Sequence, residues 1–356
     1  MDMLLHFPKE LSLIIVSFLD KSSKFSLSHV SRYYRHIIPA RIVEITVNPQ
    51  IEKIVRLQVI LTDTIFNGYT DLFKWLLPDT KHLSTNYAKK FCINAAQLGS
   101  FEILKYIHNP ASAVYYSDAI LSAAAENVNS CNNIEMMEWI YNHYGNDCMT
   151  TSACSNAAKK GNFAVIRWLR AESTSDGSTK NKCPWNAAAC QEAAWGGHFE
   201  ILQWLHENGC PWNVIACHLA AECGHFNVLK YLHENGCPWD QNTCSNAARN
   251  DHFEILKYLH DNGCHWNETA CDYVALNGNF EILQYLHENG CPWDKDAYRY
   301  AASNGHFEII KYLHENECPW DEYACNIAAN NGYTTILKYL HENGCPCSIH
   351  NCNYCK

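Results

Sequence analysis

Lysine and arginine are scarce in this chain. Its 356 residues include 27 of them against 37 aspartates and glutamates, which leaves a net charge of −10. A surface that binds nucleic acid needs a basic stripe to neutralise phosphates. No polybasic segment is present that would favour an anionic membrane surface. This balance therefore argues against both nucleic-acid and membrane partners.

Long hydrophobic runs are also missing. The apolar stretch Leu11–Leu19 is preceded by Lys9 and Glu10 and is ended by Asp20. A helix that spans a bilayer needs about 20 apolar residues, and no small-residue cleavage site follows this stretch. We therefore expect an intracellular protein of the cytoplasm or nucleus.

Catalytic signatures are the third absence. The sequence contains no glycine-rich phosphate loop, no Gly-x-Ser-x-Gly and no His-Glu-x-x-His. No pattern places a nucleophile beside a base. We expect no enzymatic activity and no cofactor.

A repeated block fills the second half of the chain instead. It reads Cys-Pro-Trp-Asp/Asn, then Ala-Cys-x-x-Ala-Ala-x-x-Gly-His-Phe-Glu-Ile-Leu-Lys-Tyr-Leu-His-Glu-Asn-Gly. Its first cysteine recurs every 27 residues, at Cys183, Cys210, Cys237, Cys264, Cys291, Cys318 and Cys345. A fixed period of this size indicates a stacked repeat array, in which each unit buries its apolar face against its neighbours.

Each unit is predicted to be a pair of helices. In Cys237–Gly263, Asp240 is suited to cap a first helix, and Phe253 to His260 supply the apolar face of a second helix. The equivalent caps are Asn186, Asn213, Asn267, Asp294 and Asp321. The corner between the helices holds Asp251 here and Gly197, Gly224, Gly278, Gly305 or Gly332 elsewhere, and Glu317 replaces one terminal glycine. For Glu317 we expect either a cost of about 1 kcal/mol or a differently wound helix end.

The unit that contains Ala247-Ala248, then Asp251-His252-Phe253 and an aliphatic second helix, resembles the ankyrin repeat. That resemblance implies an all-α, helix-hairpin solenoid whose first helices line a binding groove. The period of 27 is shorter than the family's, so we expect no β-hairpin fingers. Looser units lie upstream, for example at Asn94–Tyr106. We expect about ten units over residues 67–356, with a loop insertion at about 172–182.

Residues 1–45 lack the repeat and read Phe7-Pro8-Lys9-Glu10-Leu11, then Leu27-Ser28-x-Val30-Ser31-Arg32. This segment resembles an F-box, and residues 46–66 would connect it to the array. The resemblance implies docking on the Skp-type adaptor of a cullin–RING ubiquitin ligase through Pro8, Leu11, Ile15, Leu19, Leu27 and Val30. The alternative is that these helices only cap the array, since a repeat array needs capped ends. The combination resembles proteins of giant DNA viruses and protists, so a viral chain would act in the host cell.

The histidines recur in step with the repeat, which indicates structural roles: their ring nitrogens would tie corner backbone groups together or form polar edges of the outer helix. The helix cysteines would behave as small hydrophobes, and the tryptophans would pack between adjacent loops. We expect reduced thiols. The tail crowds Cys345, Cys347, His350, Cys352 and Cys355 together at spacings that could hold zinc. Some of these also fall on repeat positions, and we expect no metal site.

A target protein would contact the positions that vary between units. The pair after the inner cysteine and the residue after Ala-Ala differ from unit to unit, which we interpret as solvent-facing positions. The predicted contacts are His218, Arg249, Tyr273, Arg299 and Tyr300, because Arg and Tyr are enriched at binding hot spots; the alternative is drift on an unused surface. We therefore expect a monomeric adaptor that recruits substrates to a ubiquitin ligase, or else a scaffold or decoy without a ligase.

Overall fold

A computed structural model describes residues 65, 70–76, 85–108, 117–127, 133–171 and 182–345. Within these ranges the chain forms α-helices and one 3-10 helix, with no β-strand. This confirms the all-α helix-hairpin prediction. The F-box-like segment, the linker up to residue 64, residues 172–181 of the loop insertion and the tail after Cys345 lie outside the described residues.

The chain divides into two compact units, residues 1–153 with 164–183 and residues 154–163 with 184–356. The helices described up to the first full repeat are α1 (Thr70–Leu76), α2 (Thr85–Gln97), α3 (Phe101–Ile107), α4 (Ser117–Ala125), α5 (Asn133–Tyr144), a 3-10 helix (Gly145–Cys148), α6 (Thr151–Lys159) and α7 (Phe163–Arg170). In the first unit α2 packs on α3 and α4, and α4 packs on α5. These are the looser upstream repeats.

The second unit holds six regular helix pairs. The first helices of the pairs, called inner helices here, are α8 (Ala187–Trp195), α10 (Val214–Glu222), α12 (Gln241–Arg249), α14 (Glu268–Asn277), α16 (Lys295–Asn304) and α18 (Glu322–Asn330). The second helices, called outer helices, are α9 (Phe199–Glu207), α11 (Phe226–Glu234), α13 (Phe253–Asp261), α15 (Phe280–Glu288), α17 (Phe307–Glu315) and α19 (Thr334–Glu342). Inner helices pack against one another more extensively than outer helices do, because alanines at the contact let their backbones approach closely.

The number of repeats agrees with the sequence estimate. Over the described residues, ten helices hold the second position of a pair: α1, α3, α5, α7 and the six outer helices. α1 packs against α3, as the second helices of neighbouring repeats do. The prediction of about ten units is therefore confirmed for the helices that the structure describes.

The helix caps form as predicted, with one exception. The Asp240 side chain accepts the Asn242 amide at 2.9 Å, and Thr243 completes a capping box. Asn267 also starts its helix, but its side chain makes no cap hydrogen bond. Its Oδ1 instead accepts the hydroxyl of Ser245 on the preceding inner helix at 3.0 Å. Asn267 therefore begins its helix as predicted, but its side chain does not form the predicted cap hydrogen bond.

The corners lock successive repeats together. His252 donates from Nε2 to the backbone carbonyl of Glu222 in the preceding repeat, at 3.0 Å. Its ring covers Gly224, whose φ is +79° and where a Cβ atom would lie 2.6 Å from the ring. His198, His225 and His306 make the same bond to the preceding repeat. The predicted role of these histidines, to tie corner backbone groups together, is confirmed.

One corner departs from this rule in two places at once. Asp251 replaces the corner glycine and adopts φ +58°. The next repeat carries Asn279 at the position that is histidine in four repeats and Tyr333 in the last one. A histidine ring there would meet the Asp251 side chain, so the two departures accompany each other. Asn277 donates to the Arg249 carbonyl at 2.7 Å and supplies the missing tie. Glu317 also adopts φ +61° and keeps the usual amide bond to His314, so its helix end is not differently wound.

The outer helices carry a second set of interlocking rings. The His233 ring stacks on Trp239 at 3.8 Å between centroids, and its Nδ1 lies 3.0 Å from the Tyr258 hydroxyl of the next outer helix. The same stack recurs at His206, His260, His287 and His314. Each of these tryptophans, which we expect to pack between adjacent loops, stacks on a histidine.

Candidate functional site

The position directly after the inner cysteine slot forms the joint between consecutive inner helices. These joint residues are Gln191, His218, Ser245, Asp272, Arg299 and Asn326. The Gln191 amide donates to Asn213 Oδ1 at 2.9 Å, and Ser245 donates to Asn267 as described. Gln191 and Ser245 therefore both bond to the cap residue of the next inner helix.

The sequence interpretation of these positions as solvent-facing is wrong for several of them. Ser245 and Asp272 are buried, and the other joint residues are half-buried. Contact with the next cap residue shields four of them from water: Gln191, His218, Ser245 and Arg299. Their variation between repeats accompanies a variation in the partner across the joint.

His218 is held by such a joint. Its Nε2 lies 2.7 Å from Asp240 Oδ1, and its side chain is 18% exposed. Burial alone would raise the pKa of Asp240, but the hydrogen bond from His218 and the amides of Asn242 and Thr243 bring that pKa below its usual value. His218 therefore supports the cap of the next helix and leaves only an edge for a partner.

Arg299 is held more firmly. Its guanidinium bridges Asp296 on its own helix and Asp321 on the next one, and it lies 4.7 Å from the Tyr323 ring centroid. Hydrogen bonds that Arg299 donates to Asp321 raise the pKa of Arg299, and its charge is neutralised by the two carboxylates. Arg299 positions the exposed Tyr323 ring and is not a free cation.

Arg249, Tyr273 and Tyr300 sit closer to the surface. Arg249 is exposed and lies 5.3 Å from the centroid of the half-buried Tyr273 ring. Tyr300 is 39% exposed. The structure thus places the five predicted contacts on the inner helices, with Arg249 and Tyr300 the most accessible of them.

Three further exposed side chains on the inner helices were not predicted as contacts. Trp195 closes α8 and is covered on one side by Lys159, while Ile215 and Tyr323 occupy the second helical position of their repeats. Tyr323 is 54% exposed, the most of any large apolar side chain described. The sequence did carry a signal, because the second helical position also differs between units. Together Trp195, Ile215, Arg249, Tyr273, Tyr300 and Tyr323 are called the inner-helix face below.

One joint lacks a partner. Asp272 is 8% exposed, and its Oδ1 has no hydrogen-bond partner. Burial, followed by the charges of Asp294, Asp296 and Glu268, raises its pKa to about 7. At this joint the carboxylate of Asp272 lies near that of Asp294. At the joints that form hydrogen bonds, a donor meets an acceptor.

Neither metal-binding clusters nor membrane spans are present in the part of the chain that the structure describes. No three or more His, Cys, Asp or Glu side chains there are arranged to hold a metal ion. No helix in the same ranges has the length and apolar character to cross a bilayer. Of the tail residues with zinc-like spacing, only Cys345 lies within these ranges.

Part of the repeat region matches sequence models of known protein families. Residues 188–270 and 244–323 match a sequence model described as ankyrin repeats in three copies. Residues 154–206 match one described as ankyrin repeats in many copies. No curated protein matches the chain.

Proposed function

We propose that this chain, whose residues 154–323 are ankyrin repeats, is an adaptor that holds a target protein on the inner-helix face. Ankyrin repeats imply a protein-interaction scaffold, and such all-helical arrays are typically not enzymes. The observation that carries the proposal is that exposed side chains differing between repeats gather on this one face. By contrast, the recurring histidines, tryptophans and tyrosines contact one another or the backbone and hold the repeats together.

The chemistry of the inner-helix face supports protein binding. It exposes tryptophan, tyrosine and isoleucine, which supply large contact areas with few rotatable bonds, and arginine, which is enriched at protein interfaces. Arg249 beside Tyr273 and Arg299 beside Tyr323 hold two of these rings in place. A face built in this way loses little side-chain entropy when a partner docks.

A finer proposal concerns the ubiquitin ligase. Its support is the F-box resemblance of residues 1–45, whose contacts Pro8, Leu11, Ile15, Leu19, Leu27 and Val30 lie outside the described residues. In this proposal the chain acts as a monomer in the cytoplasm or nucleus, of the host cell if it is viral. It docks on a Skp-type adaptor at one end and presents its target at the other. The alternative is a scaffold or decoy without a ligase, with the first helices capping the array.

Site-specific crosslinking tests the inner-helix face. A photoreactive amino acid replaces Tyr300 on the inner-helix face or, as the control, Lys311 on an outer helix. We expect Tyr300 to capture a protein that Lys311 does not capture. The affinity of the purified partner should then fall about tenfold or more in the double variant Tyr300→Ala, Tyr323→Ala, as expected for hot-spot tyrosines.

The matched control for affinity is Lys311→Ala with Lys338→Ala, two exposed lysines on outer helices. This variant should bind within about twofold of the original protein, and circular dichroism should show that all variants are folded. Equal losses in both double variants, or no loss in the tyrosine variant, would refute binding on the inner-helix face.

Co-expression with a Skp-type adaptor tests the ligase proposal. We expect the two proteins to co-purify, and Pro8→Ala with Leu11→Ala to abolish the association. Lys9→Ala is the control because Lys9 stands at the variable position of the motif. Absence of association, or association indifferent to Pro8 and Leu11, removes the ligase and leaves the scaffold.

A further inference from the structure

Buried thiols lie in pairs inside five repeats of the second unit. The pairs occupy the same two positions of each repeat, and in each pair the neighbouring cysteine shifts a thiol pKa: Cys190 with Cys210, Cys217 with Cys237, Cys244 with Cys264, Cys271 with Cys291, and Cys325 with Cys345. The thiol of Cys244 donates a hydrogen bond to the sulfur of Cys264. The first member comes from an inner helix, and the second opens the loop that follows the outer helix. In the third pair the two Sγ atoms are 3.0 Å apart, about 1 Å beyond the length of an S–S bond.

We propose that these five pairs are disulfide-forming sites that a peroxide oxidises. Each disulfide would join an inner helix to the loop after its own outer helix and close a loop of 20 residues. The repeat would then be covalently stapled without any change on the inner-helix face. In the structure all ten cysteines of these pairs are free thiols, which is the reduced form of the sites.

The two sulfurs of a pair differ in a way that suits this chemistry. Cys244 is fully buried, whereas Cys264 retains 4% exposure at the edge of the loop. The thiol of Cys244 donates to the sulfur of Cys264 and lowers the pKa of Cys264 below its usual value. The hydrogen bond and burial raise the pKa of Cys244. Cys264 is therefore the attacking thiolate, and Cys244 is the thiol that resolves it.

The reaction balances in two steps. The Cys264 thiolate attacks one oxygen of hydrogen peroxide, the O–O bond breaks, and the released hydroxide takes a proton to become water. The resulting sulfenic acid is then attacked by the Cys244 sulfur, which loses its proton, and a second water leaves as the S–S bond forms. Two thiols lose two electrons and two protons, and one peroxide becomes two waters. The small size of peroxide suits a sulfur with this little exposure.

Forming the disulfide leaves the frame satisfied. The Cys264 thiol donates to the Asp240 carbonyl at 3.3 Å, and oxidation removes that donor. The same carbonyl also accepts the Thr243 amide at 3.0 Å, so it keeps a partner. The cost to the native contacts is one weak thiol hydrogen bond per repeat.

The fifth of the six repeats, which contains α16 and α17, provides an internal control. There Tyr298 replaces the inner-helix cysteine, and Cys318 opens the loop alone. Cys318 is as buried as the other loop cysteines and donates to the Asp294 carbonyl at 3.3 Å. It shares their environment without the resolving thiol, and burial raises its pKa.

The test treats the purified full-length protein with millimolar hydrogen peroxide under native conditions, blocks the remaining thiols and maps the peptides by mass spectrometry. We expect crosslinked peptides for the five pairs, each two hydrogens lighter than the sum of its parts. Cys318 should not be disulfide-linked, and the melting temperature should rise after oxidation. In Cys244→Ser, Cys264 should lose its crosslink while the other four pairs still form.

A gain-of-function variant completes the test. Tyr298→Cys should create a new crosslink to Cys318, provided that circular dichroism shows the variant to be folded. Crosslinks between cysteines of different pairs, disulfides that form only after denaturation, or a Cys264 that still crosslinks in Cys244→Ser would each overturn the proposal.

Discussion

The unpaired carboxyl of Asp272 makes a stability prediction that can be worked from the structure. Its pKa rises from 3.8 to about 7 because it is buried and faces Asp294, Asp296 and Glu268. Since one pKa unit corresponds to about 1.36 kcal/mol, ionising Asp272 costs the folded protein up to about 4 kcal/mol more than the unfolded chain. An asparagine at this position would remain neutral and could donate to Asp294, as Gln191 donates to Asn213.

The sign follows from the direction of the pKa change. The folded-state pKa lies above the unfolded value, so both states are protonated below about pH 4 and the penalty is absent. The penalty grows as the pH rises from about 4 to 7 and is constant above that. Asp272→Asn should therefore stabilise the protein by about 2–4 kcal/mol at pH 8 and by less than about 1 kcal/mol at pH 4.

Urea unfolding across pH 4 to 8 provides the measurement, and hydrogen exchange of α14 and α16 amides provides a local one, because repeat arrays need not unfold in one step. The control is Glu281→Gln, an exposed carboxylate in the same repeat. It should change stability by less than about 0.5 kcal/mol. If Asp272→Asn follows the pH profile of the original protein, or destabilises it at pH 8, the reasoning about this joint is wrong.

Three further predictions follow from the corners and the first unit. Gly224→Ala should destabilise the protein by about 2 kcal/mol, because the new Cβ would displace the His252 ring. Gly236→Ala, at the same φ of +79° but with no atom nearby, should cost only about 1 kcal/mol. Equal losses of stability in urea unfolding would count against the histidine contact. Glu317→Gly should raise stability by about 1 kcal/mol by relieving φ +61°, and an unchanged melting curve would contradict this. Burial is the main cause that lowers the pKa of His108 to about 4. The stabilising contribution of the neutral imidazole is complete above about pH 6.5 and should be lost as the pH falls towards 4. A stability of the first unit that does not change over this pH range would exclude that contribution.

Much of the fold was predictable because it depends on local chemistry that repeats. Capping residues, corner glycines and the helical spacing of apolar side chains act within one unit, and six near-identical copies make each signal unmistakable. The repeat count and the corner role of the histidines were predicted on this basis. The variation of the joint residues between repeats was visible too, but its interpretation as a solvent-facing surface was wrong for the buried Ser245 and Asp272.

The sequence by itself determined the helix pairs, their corners and the period at which they stack, because these depend on backbone preference and on burial within a unit. Only the tertiary structure decided what joins one repeat to the next. It brought the charge of Asp294 near Asp272, bonded the Asn267 side chain to Ser245 of the preceding repeat and brought Cys244 to Cys264. These contacts link residues about 20 apart in the chain, and their partners are selected by the packing of whole helices rather than by local sequence.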